Sequence, residues 1–554
     1  MKLSRILNAV KINSIYRTGE GATKKDSSKH SSNDDPDISS VHYRAQDVKP
    51  GGLFVAIPGL LADGHDFIDQ ARMQGALAIV SQKPVQPDNS ATQNTGQVKA
   101  KQVKNDLTII EVDNSRKALA GISAAFFGNP SQKLNIIGIT GTNGKTTITY
   151  LIESMLAAAG LKSGIKTGVI GTINYRYMGK VFENPVTTPE SLDLQKILAE
   201  MLKEGVTHVV LEVSSHAIDL FRVENCWIDT GVFTNLTQDH LDYHGDMNSY
   251  WLCKKRMFTE YLPSGPKKNH ALAVINRDNP KGRELFNILP VRGISTGLSE
   301  DNIIWPKIIK HDLSGIAGNI STPAGSFDFK SPLVGKHNIE NILSAAGVGT
   351  ALDLSLDDIK AGIENVFFIP GRLERITGNN GRFVYVDYAH TPDALGNVLT
   401  SLKAVSDKKI ICVFGCGGDR DRKKRPLMGE IAGRLCDLAI VTSDNPRTED
   451  PEKIIDQIVS GLNKTCKHEY SLSSLKAGFD KTSFNKKGYV IEPDRKNAIK
   501  LGIAVSRLGD TVLIAGKGHE TYQILGKKTI SFDDRKEAKQ ALLNEAQSTK
   551  NKTA

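Results

Sequence analysis

Residues 134–160 read LNIIGITGTNGKTTITYLIESMLAAAG, and three kinds of sequence follow one another within them. LNIIGIT is a short apolar run rich in isoleucine, as a buried strand requires. Gly141-Thr142-Asn143-Gly144-Lys145-Thr146-Thr147 is a glycine-rich turn, and TTITYLIESMLAAAG is helix-forming up to a glycine that predicts a stop at Gly160. Strand, tight loop and helix in that order put the loop at a helix N-terminus, where backbone N–H groups and the helix dipole attract anions. Lys145 is then set to neutralise the β- and γ-phosphates of a nucleotide, and the Thr146 hydroxyl to reach Mg²⁺. The glycines stand at 138, 141 and 144, and Ile139 takes the first glycine position of the general phosphate-loop pattern.

Outward from this loop the alternation continues. THVVLEV, CWIDTGVFTN and ALAVINRD read as strands separated by helical stretches, the order of a mostly parallel sheet covered on both faces. HVVLEV ends in Glu212, a carboxylate suited to holding the nucleotide's metal, although a lone strand-end glutamate is also ordinary. Ser214-Ser215-His216 and the stretch TNLTQDHLDYHG at 234–245 are too dense in hydroxyls, Asp and His for a packing face. A Ser–His nucleophile is the rival reading, but no G-x-S-x-G turn surrounds Ser214 or Ser215.

After Pro370-Gly371, RFVYVDYA, KKIICVFGC, DLAIVTSDNP and DTVLIAGKG are four more strand-like runs with room for crossover helices. Ligands of open parallel sheets bind beyond the carboxyl ends of the strands, so Asp387 and residues 415–420, 444–447 and 516–520 are expected around one pocket. GxGxxG is absent there, which argues against a dinucleotide cofactor. Residues 1–132 read as a small α/β unit around GGLFVAIPG and ALAIVSQKPV, with polar stretches 18–40 and 86–105 as exposed loops. The expected fold class is α/β in three domains, 1–132, 133–369 and 370–554: a central phosphate-loop domain with a mostly parallel sheet and a Rossmann-like C-terminal one.

At 554 residues the chain is too long for one core. A formal net charge of +10 favours polyanionic partners, among which it cannot choose. An ATPase that binds nucleic acid is therefore kept as an alternative, which would show nucleic-acid-stimulated hydrolysis with steep salt dependence. Neither a basic, aromatic-rich tract nor zinc-finger spacing supports it. The six cysteines form no CxxC pair, so they read as reduced thiols and not as a disulfide scaffold or zinc site. With no cleavable leader at MKLSRILNAV and no apolar window of membrane-spanning length, a cytoplasmic protein without a membrane partner is expected.

GTNGKTT, LEVSSH, TNLTQDHLDYHG, GKHNIENILSAA, PGRLE, DYAHTPDAL, FGCGGDRDRKKRPLMG, DNPRTE and AGKGHE, in that order across residues 134–535, resemble the Mur ligase family. DNPR with GGDRD and GKGHE resembles its diaminopimelate-adding branch. The resemblance implies three domains that hold a UDP-sugar, ATP and an amino acid, and an ATP-dependent ligase of peptidoglycan synthesis. Its substrates would be ATP, UDP-MurNAc-L-Ala-D-Glu and meso-diaminopimelate, joined through an acyl-phosphate, with Mg²⁺ as cofactor, no nucleic-acid partner and a monomeric state. A lysine-adding or folylpolyglutamate-like ligase is the alternative, against which DNPR speaks.

Carried over residue by residue, Gly141 to Thr147 hold the phosphates, Asn338 and Asn341 the adenine side, and Arg372, Asp387 and His390 complete the ATP pocket. Lys145, Glu212, His240 and Lys254 are the implied catalytic set. Thr146 and Glu212 would ligate one Mg²⁺, and His240 a second beside Lys254, which the family carries as a CO₂-derived carbamate four residues after a tyrosine, here Tyr250. The bland alternative is that Lys254, Lys255 and Arg256 form a solvated basic helix face. Thr187, Thr188, Ser214 and Arg222 match positions that grip the muramyl-dipeptide. Arg420, Asp444, Asn445, Pro446, Arg447, Gly516 and Glu520 match the diaminopimelate site: Arg447, assisted by Arg420, would pair the far carboxylate, while Asp444, Asn445, the Gly516 carbonyl and Glu520 would receive the ammonium. The chain departs from the family pattern at Leu220, where glutamine is common, and at Arg44-Ala45-Gln46 and Gly52 in the first domain.

Overall fold

The structure, a computed structural model, describes residues 1–17, 35–59, 62–85, 107–378, 381–477 and 486–553. Most of the polar stretch 18–40, all of 86–105, and Leu60 and Leu61 lie outside these residues. The apolar runs assemble three sheets with helices around them. The first, in spatial order Ser14–Arg17, Thr108–Glu111, Ala78–Ser81, Gly52–Val55 and Ser40–His42, is parallel except for its first pair.

The central sheet has eight strands. Six are parallel, in the order Arg292–Thr296, Leu272–Asn276, Thr230–Phe233, Asn135–Thr140, His208–Glu212, Thr167–Ile170, and the hairpin Tyr175–Tyr177 and Lys180–Phe182 adds an antiparallel edge. Along Asn135–Thr140 the two-residue period sends Ile136 to one face and Ile137 and Ile139 to the other. The Ile136 face is covered by the helix Ser191–Lys203 and Met247–Arg256, the other by Lys145–Ser163 and Lys336–Ala351. Burial on both faces explains why these strands are apolar runs and not alternations.

The helix after the glycine-rich loop runs to Ser163, past the expected stop at Gly160. The terminating glycine is Gly164, whose φ of 74° is the left-handed C-cap conformation. Gly160 has a different job: a Cβ there would come within 2.5 Å of the Ile165 carbonyl oxygen, so the chain folds back directly over it. The sequence reading also missed a three-stranded antiparallel sheet, Trp305–Asp312, Gly315–Thr322 and Gly325–Ser331, which packs beside the central domain.

The third sheet is ordered Glu374–Ile376, Phe383–Asp387, Thr511–Ala515, Ile410–Phe414, Leu438–Val441, Gly488–Ile491, and all but its first pair is parallel. Gly488–Ile491 is a fifth parallel strand beyond the four expected. The final helix, Asp534–Thr553, is anchored at its first residue: Asp534 accepts from Arg495 Nε and Nη2 at 2.8 and 2.6 Å, and both side chains are fully buried. Asp534→Ala would leave the buried Arg495 guanidinium without its two-pronged carboxylate, so a loss of about 3–5 kcal/mol of unfolding free energy is expected in urea titrations. A loss below about 1 kcal/mol, the size of an ordinary surface change, would contradict that anchoring role.

Candidate active site

Asn135–Thr140 lies between Thr230–Phe233 and His208–Glu212, so the loop that follows it opens where the sheet order departs in both directions. The loop is stitched to its neighbour. Thr142 N donates to the Asn235 carbonyl at 2.9 Å, Asn143 N to Asn235 Oδ1 at 2.9 Å, and Thr234 Oγ1 to the Asn143 carbonyl at 2.6 Å. Gly141 has a φ of 146°, and a Cβ on it would stand 1.9 Å from Thr234 Oγ1, which is why only glycine fits. Asn341, bonded through Nδ2 to Asn338 Oδ1 at 3.0 Å, presses its own Oδ1 against Gly144.

Thr146 Oγ1 donates to Glu212 Oε2 at 3.2 Å, and the same carboxylate accepts from Thr172 Oγ1 at 2.7 Å and Thr172 N at 3.1 Å. Thr147 is buried beside Thr146 on the first turn. Lys145 Nζ donates to the carbonyls of Gly141 and Thr142, both at 2.9 Å. Lys254 Nζ reaches the Gly141 carbonyl too, at 2.9 Å, and lies 4.7 Å from the centre of the Tyr250 ring. Lys254 is 1% exposed, which rules out the solvated-face reading. Burial, with the Lys145 charge added, pushes its ammonium well below the ordinary lysine range.

Around these groups stands an imidazole cluster. The His216 ring lies 5.0 Å from His240 and 5.7 Å from His244, and burial followed by these two neighbours lowers its pKa to about 4. His240, at a φ of 53°, begins the short helix Leu241–His244 and stays exposed. A serine–histidine pair does exist, Ser215 Oγ with His244 Nε2 at 2.9 Å, but Ser215 is 1% exposed and Ser214 Oγ caps its own helix. Neither hydroxyl is presented as a nucleophile. Among the described residues no three His, Cys, Asp or Glu side chains form a ready-made metal cage. The Thr146 and Glu212 oxygens nonetheless fit Mg²⁺, which commonly takes one or two protein oxygens and fills its shell with water and phosphate.

Beside Glu212, Thr188 Oγ1 donates to the Glu212 carbonyl at 2.8 Å, Ser214 N donates to Thr188 Oγ1 at 3.1 Å, and Arg222 Nη1 donates to the Thr188 carbonyl at 3.1 Å. Thr187 Oγ1 joins through Thr172 Oγ1 at 3.1 Å. Sequence reading overlooked Glu190, which pairs with Arg116 of the first domain at 2.8 Å and lies 3.5 Å from Arg222. Its signal was proximity: it stands two residues after Thr188.

The carboxyl ends of the third sheet supply a second cluster. Asp387 is spent on the backbone N–H groups of Leu373 and Ala389 at 2.6 and 2.8 Å; burial pushes its carboxyl up and the Arg372 charge opposes this. Arg372 stacks 4.7 Å over the Tyr388 ring, and His390 is exposed with Nδ1 2.8 Å from the Tyr388 carbonyl. Asn143 Nδ2 donates to Asp393 Oδ2 at 3.4 Å, so the phosphate loop touches this domain.

Arg447 has a φ of 52° and donates through Nη1 to the Gly418 carbonyl at 2.7 Å. It and Arg420 flank Gly417, where an added Cβ would lie 3.0 Å from Arg447 Nη1 and 3.9 Å from Arg420 Cγ. The loop carrying Arg447 is locked to the loop carrying Arg420. Gly418 N donates to the Asn445 carbonyl at 2.9 Å, Pro446 O crowds Gly418, and the fully buried Arg425 bonds Glu449 at 2.8 and 3.1 Å. Those Arg425 bonds hold the Glu449 carboxyl down at about 2.

Asn445, expected above as an acceptor for substrate ammonium, is differently employed. Its Oδ1 already accepts from Lys517 Nζ and from Ile524 N, each at 3.0 Å, and its Nδ2 donates to Glu520 Oε2 at 3.0 Å. Both lone pairs are taken, so what it still offers is its second amide N–H. Gly516, at a φ of 119°, lies against Asp444: a Cβ there would meet Asp444 Oδ2 at 2.6 Å. Lys517, Arg425 and Glu449 escaped notice although they stand inside AGKGHE, KKRPLMG and DNPRTE; the strings carry them, but not which side chains turn inward.

Three family descriptions match the chain: "Mur ligase family, catalytic domain" over residues 37–127, "Mur ligase middle domain" over 139–349, and "Mur ligase, glutamate ligase domain" over 371–518. The UDP-N-acetylmuramoyl-L-alanyl-D-glutamate–2,6-diaminopimelate ligase of Geobacter metallireducens is 46% identical over 501 residues, covering 90% of this chain and 93% of that protein. Its namesake from Bacillus cereus is 39% identical, covering 92% and 95%. A solved structure under that same description aligns at a TM-score of 0.62 and 30% identity, covering 92% and 95%. A Mycobacterium tuberculosis folylpolyglutamate synthase structure, at 20% identity, a TM-score of 0.55 and coverage of 71% and 91%, shares the fold.

Because the Gly141 contact leaves no room for a methyl group, Gly141→Ala should displace the loop from Thr234 and lower ATP turnover about 100-fold, as misplacement by an ångström can. Unchanged ATP turnover would show that the loop does not position the nucleotide.

Proposed function

This chain belongs to the Mur ligase family, and on that premise we propose how it carries out its reaction. It is an ATP-dependent ligase that adds 2,6-diaminopimelate to UDP-N-acetylmuramoyl-L-alanyl-D-glutamate in peptidoglycan synthesis. In our reading residues 1–132 hold the UDP-sugar, 133–369 ATP, and 370–554 the amino acid. The observation that carries the choice of meso-diaminopimelate is the pair Arg447 and Arg420 flanking Gly417, with Asp444 and Glu520 across the same strand ends.

Meso-diaminopimelate differs from L-lysine by a carboxylate beside the far ammonium. Arg447 and Arg420 pair that carboxylate, aided by the free Asn445 N–H, while Glu520, Asp444 and the Gly516 carbonyl take the ammonium. Lysine leaves the guanidinium groups without their anion, and a site built for a polar group rejects an analogue lacking it by roughly 10⁴-fold.

Thr188, Ser214 and Arg222 orient the dipeptide so that its D-glutamate γ-carboxylate oxygen attacks the γ-phosphorus of ATP, releasing ADP and leaving an acyl-phosphate. The diaminopimelate amine, having shed a proton, then attacks the acyl carbon; the amide forms and phosphate leaves. The backbone N–H groups of the loop and Lys145 hold the phosphates in line, and Asn143 joins the loop to the amino-acid domain. Thr146 and Glu212 would hold one Mg²⁺, and His240 with Lys254 a second; bound there, the metal neutralises charge on the transferring phosphoryl group. Lys254, buried and aimed at the loop, is in our reading the amine that takes up CO₂, and its carbamate would replace a cation beside Lys145 with an anion able to ligate metal. The enzyme works as a cytoplasmic monomer; among the described residues no helix is long and apolar enough to cross a membrane.

The test is ADP release with ATP, Mg²⁺ and UDP-MurNAc-L-Ala-D-Glu against meso-diaminopimelate, L-lysine, L-ornithine or no amino acid. Turnover should follow diaminopimelate, and turnover with lysine alone would overturn the assignment. Arg447→Ala should raise KM for diaminopimelate at least about tenfold, with KM for ATP little changed, as loss of a charge-assisted pair requires; equal rises in both would remove Arg447 from the site. Lys254→Ala should abolish ligation while ATP binding and fold persist, and short carboxylic acids should restore part of the activity. Wild-type rates in that variant would rule out the carbamate.

A further inference from the structure

Lys517 is fully buried, and a charged group out of water needs polar partners to offset its lost hydration. Here it has three. Its Nζ donates to Asn445 Oδ1 and Glu520 Oε2, each at 3.0 Å, lies 3.6 Å from Asp444 Oδ1, and stands 5.5 Å from the centre of the Tyr522 ring. Every polar partner is a residue of the amino-acid site, yet Lys517 itself has no exposed surface from which to touch a ligand.

We propose that Lys517 is a positioning residue for amino-acid selection, which rests on the reading of that site given above. Its ammonium does two things. It fixes the amide orientation of Asn445: with Oδ1 held by Lys517 and by Ile524 N, and one N–H on Glu520, the remaining N–H is committed as a donor toward a substrate carboxylate. It also keeps two acidic groups together in a buried place. Asp444 is surrounded by Arg495 and Lys517, with His390 and Lys424 on the ATP side and Glu520 beside it; burial raises its carboxyl, and Arg495 and Lys517 hold it below the ordinary value. Arg495 acts on Asp444 while forming its own pair with Asp534 at 2.6 Å, and Lys517 is the cation that stands 3.6 Å from Asp444 and bonds Glu520 at 3.0 Å. Two carboxylates against one such ammonium leave a site complementary to one further ammonium, the group on the far carbon of diaminopimelate.

The arrangement is reinforced from outside the matched family region, which ends at residue 518. Gln523 Nε2 donates to the Asp444 carbonyl at 2.7 Å, and Arg447 exchanges backbone bonds with Ile524 and Gly526 at 3.2 and 2.8 Å. The hairpin Tyr522–Leu525 and Lys528–Ser531 therefore straps the loop from Asp444 to Arg447 while Lys517 orders its side chains.

The experiment compares wild type, Lys517→Met and Lys517→Arg in the full-length enzyme, measuring KM for diaminopimelate, KM for ATP and kcat. Lys517→Met should raise KM for diaminopimelate at least about tenfold, with KM for ATP within about twofold. Lys517→Arg, which keeps the charge, should stay within about threefold of wild type. A Met variant with wild-type KM, equal losses in Met and Arg, or ATP and diaminopimelate affinities falling together would overturn the proposal in favour of a packing role. Failure of wild type to use diaminopimelate would instead overturn the functional reading beneath it.

Discussion

Lys145 and Lys254 reach the same carbonyl oxygen, that of Gly141, each at 2.9 Å. Two ammonium groups that close, one of them excluded from water, repel each other in a medium that screens poorly. Burial and the Lys145 charge push the Lys254 ammonium well below the ordinary lysine range, and Glu212 sits on the next strand. What remains is a loop whose electrostatics are balanced once anions arrive. The close seat of Gly141 on Thr234 sets this geometry, since it puts the carbonyl where both lysines converge.

From that point the architecture separates two problems. In the proposed assignment, phosphate chemistry is handled at the centre of one parallel sheet, and recognition of the amino acid at the strand ends of another. The second task relies on loops, which parallel strands leave free to vary, and these loops are made rigid by buried charge: Arg425 with Glu449, Lys517 with Glu520 and Asp444. Buried ion pairs are poor general stabilisers because desolvation offsets their attraction. On the proposed assignment their value lies in fixing which way polar side chains face, the condition for distinguishing two amino acids that differ by one carboxylate.

Much of this was legible in the residues. Strand ends at Thr140, Glu212, Asp387, Phe414, Val441 and Ala515 fall beside the expected ligand positions, because parallel strands buried on both faces announce themselves as apolar runs. The antiparallel sheet at 305–331 did not, since WPKIIKHD and GIAGNIST carry only scattered buried positions such as Ile316 and Ile320, with Phe327 and Phe329 on the third strand. Gly160 misled because a glycine needed for close packing looks the same in sequence as one needed for a positive φ. Asn445 reads from the sequence as an acceptor, yet its Oδ1 is already occupied, because the direction of an amide is decided by partners 72 and 79 residues away.

The central claim is a choice between two amino acids, and a single product mass decides it most directly. Purified protein given ATP, Mg²⁺, UDP-MurNAc-L-Ala-D-Glu and equimolar meso-diaminopimelate and L-lysine should yield one new nucleotide, heavier than the acceptor by diaminopimelate less water. Accumulation of the lysyl product, or of both in similar amounts, would contradict the account.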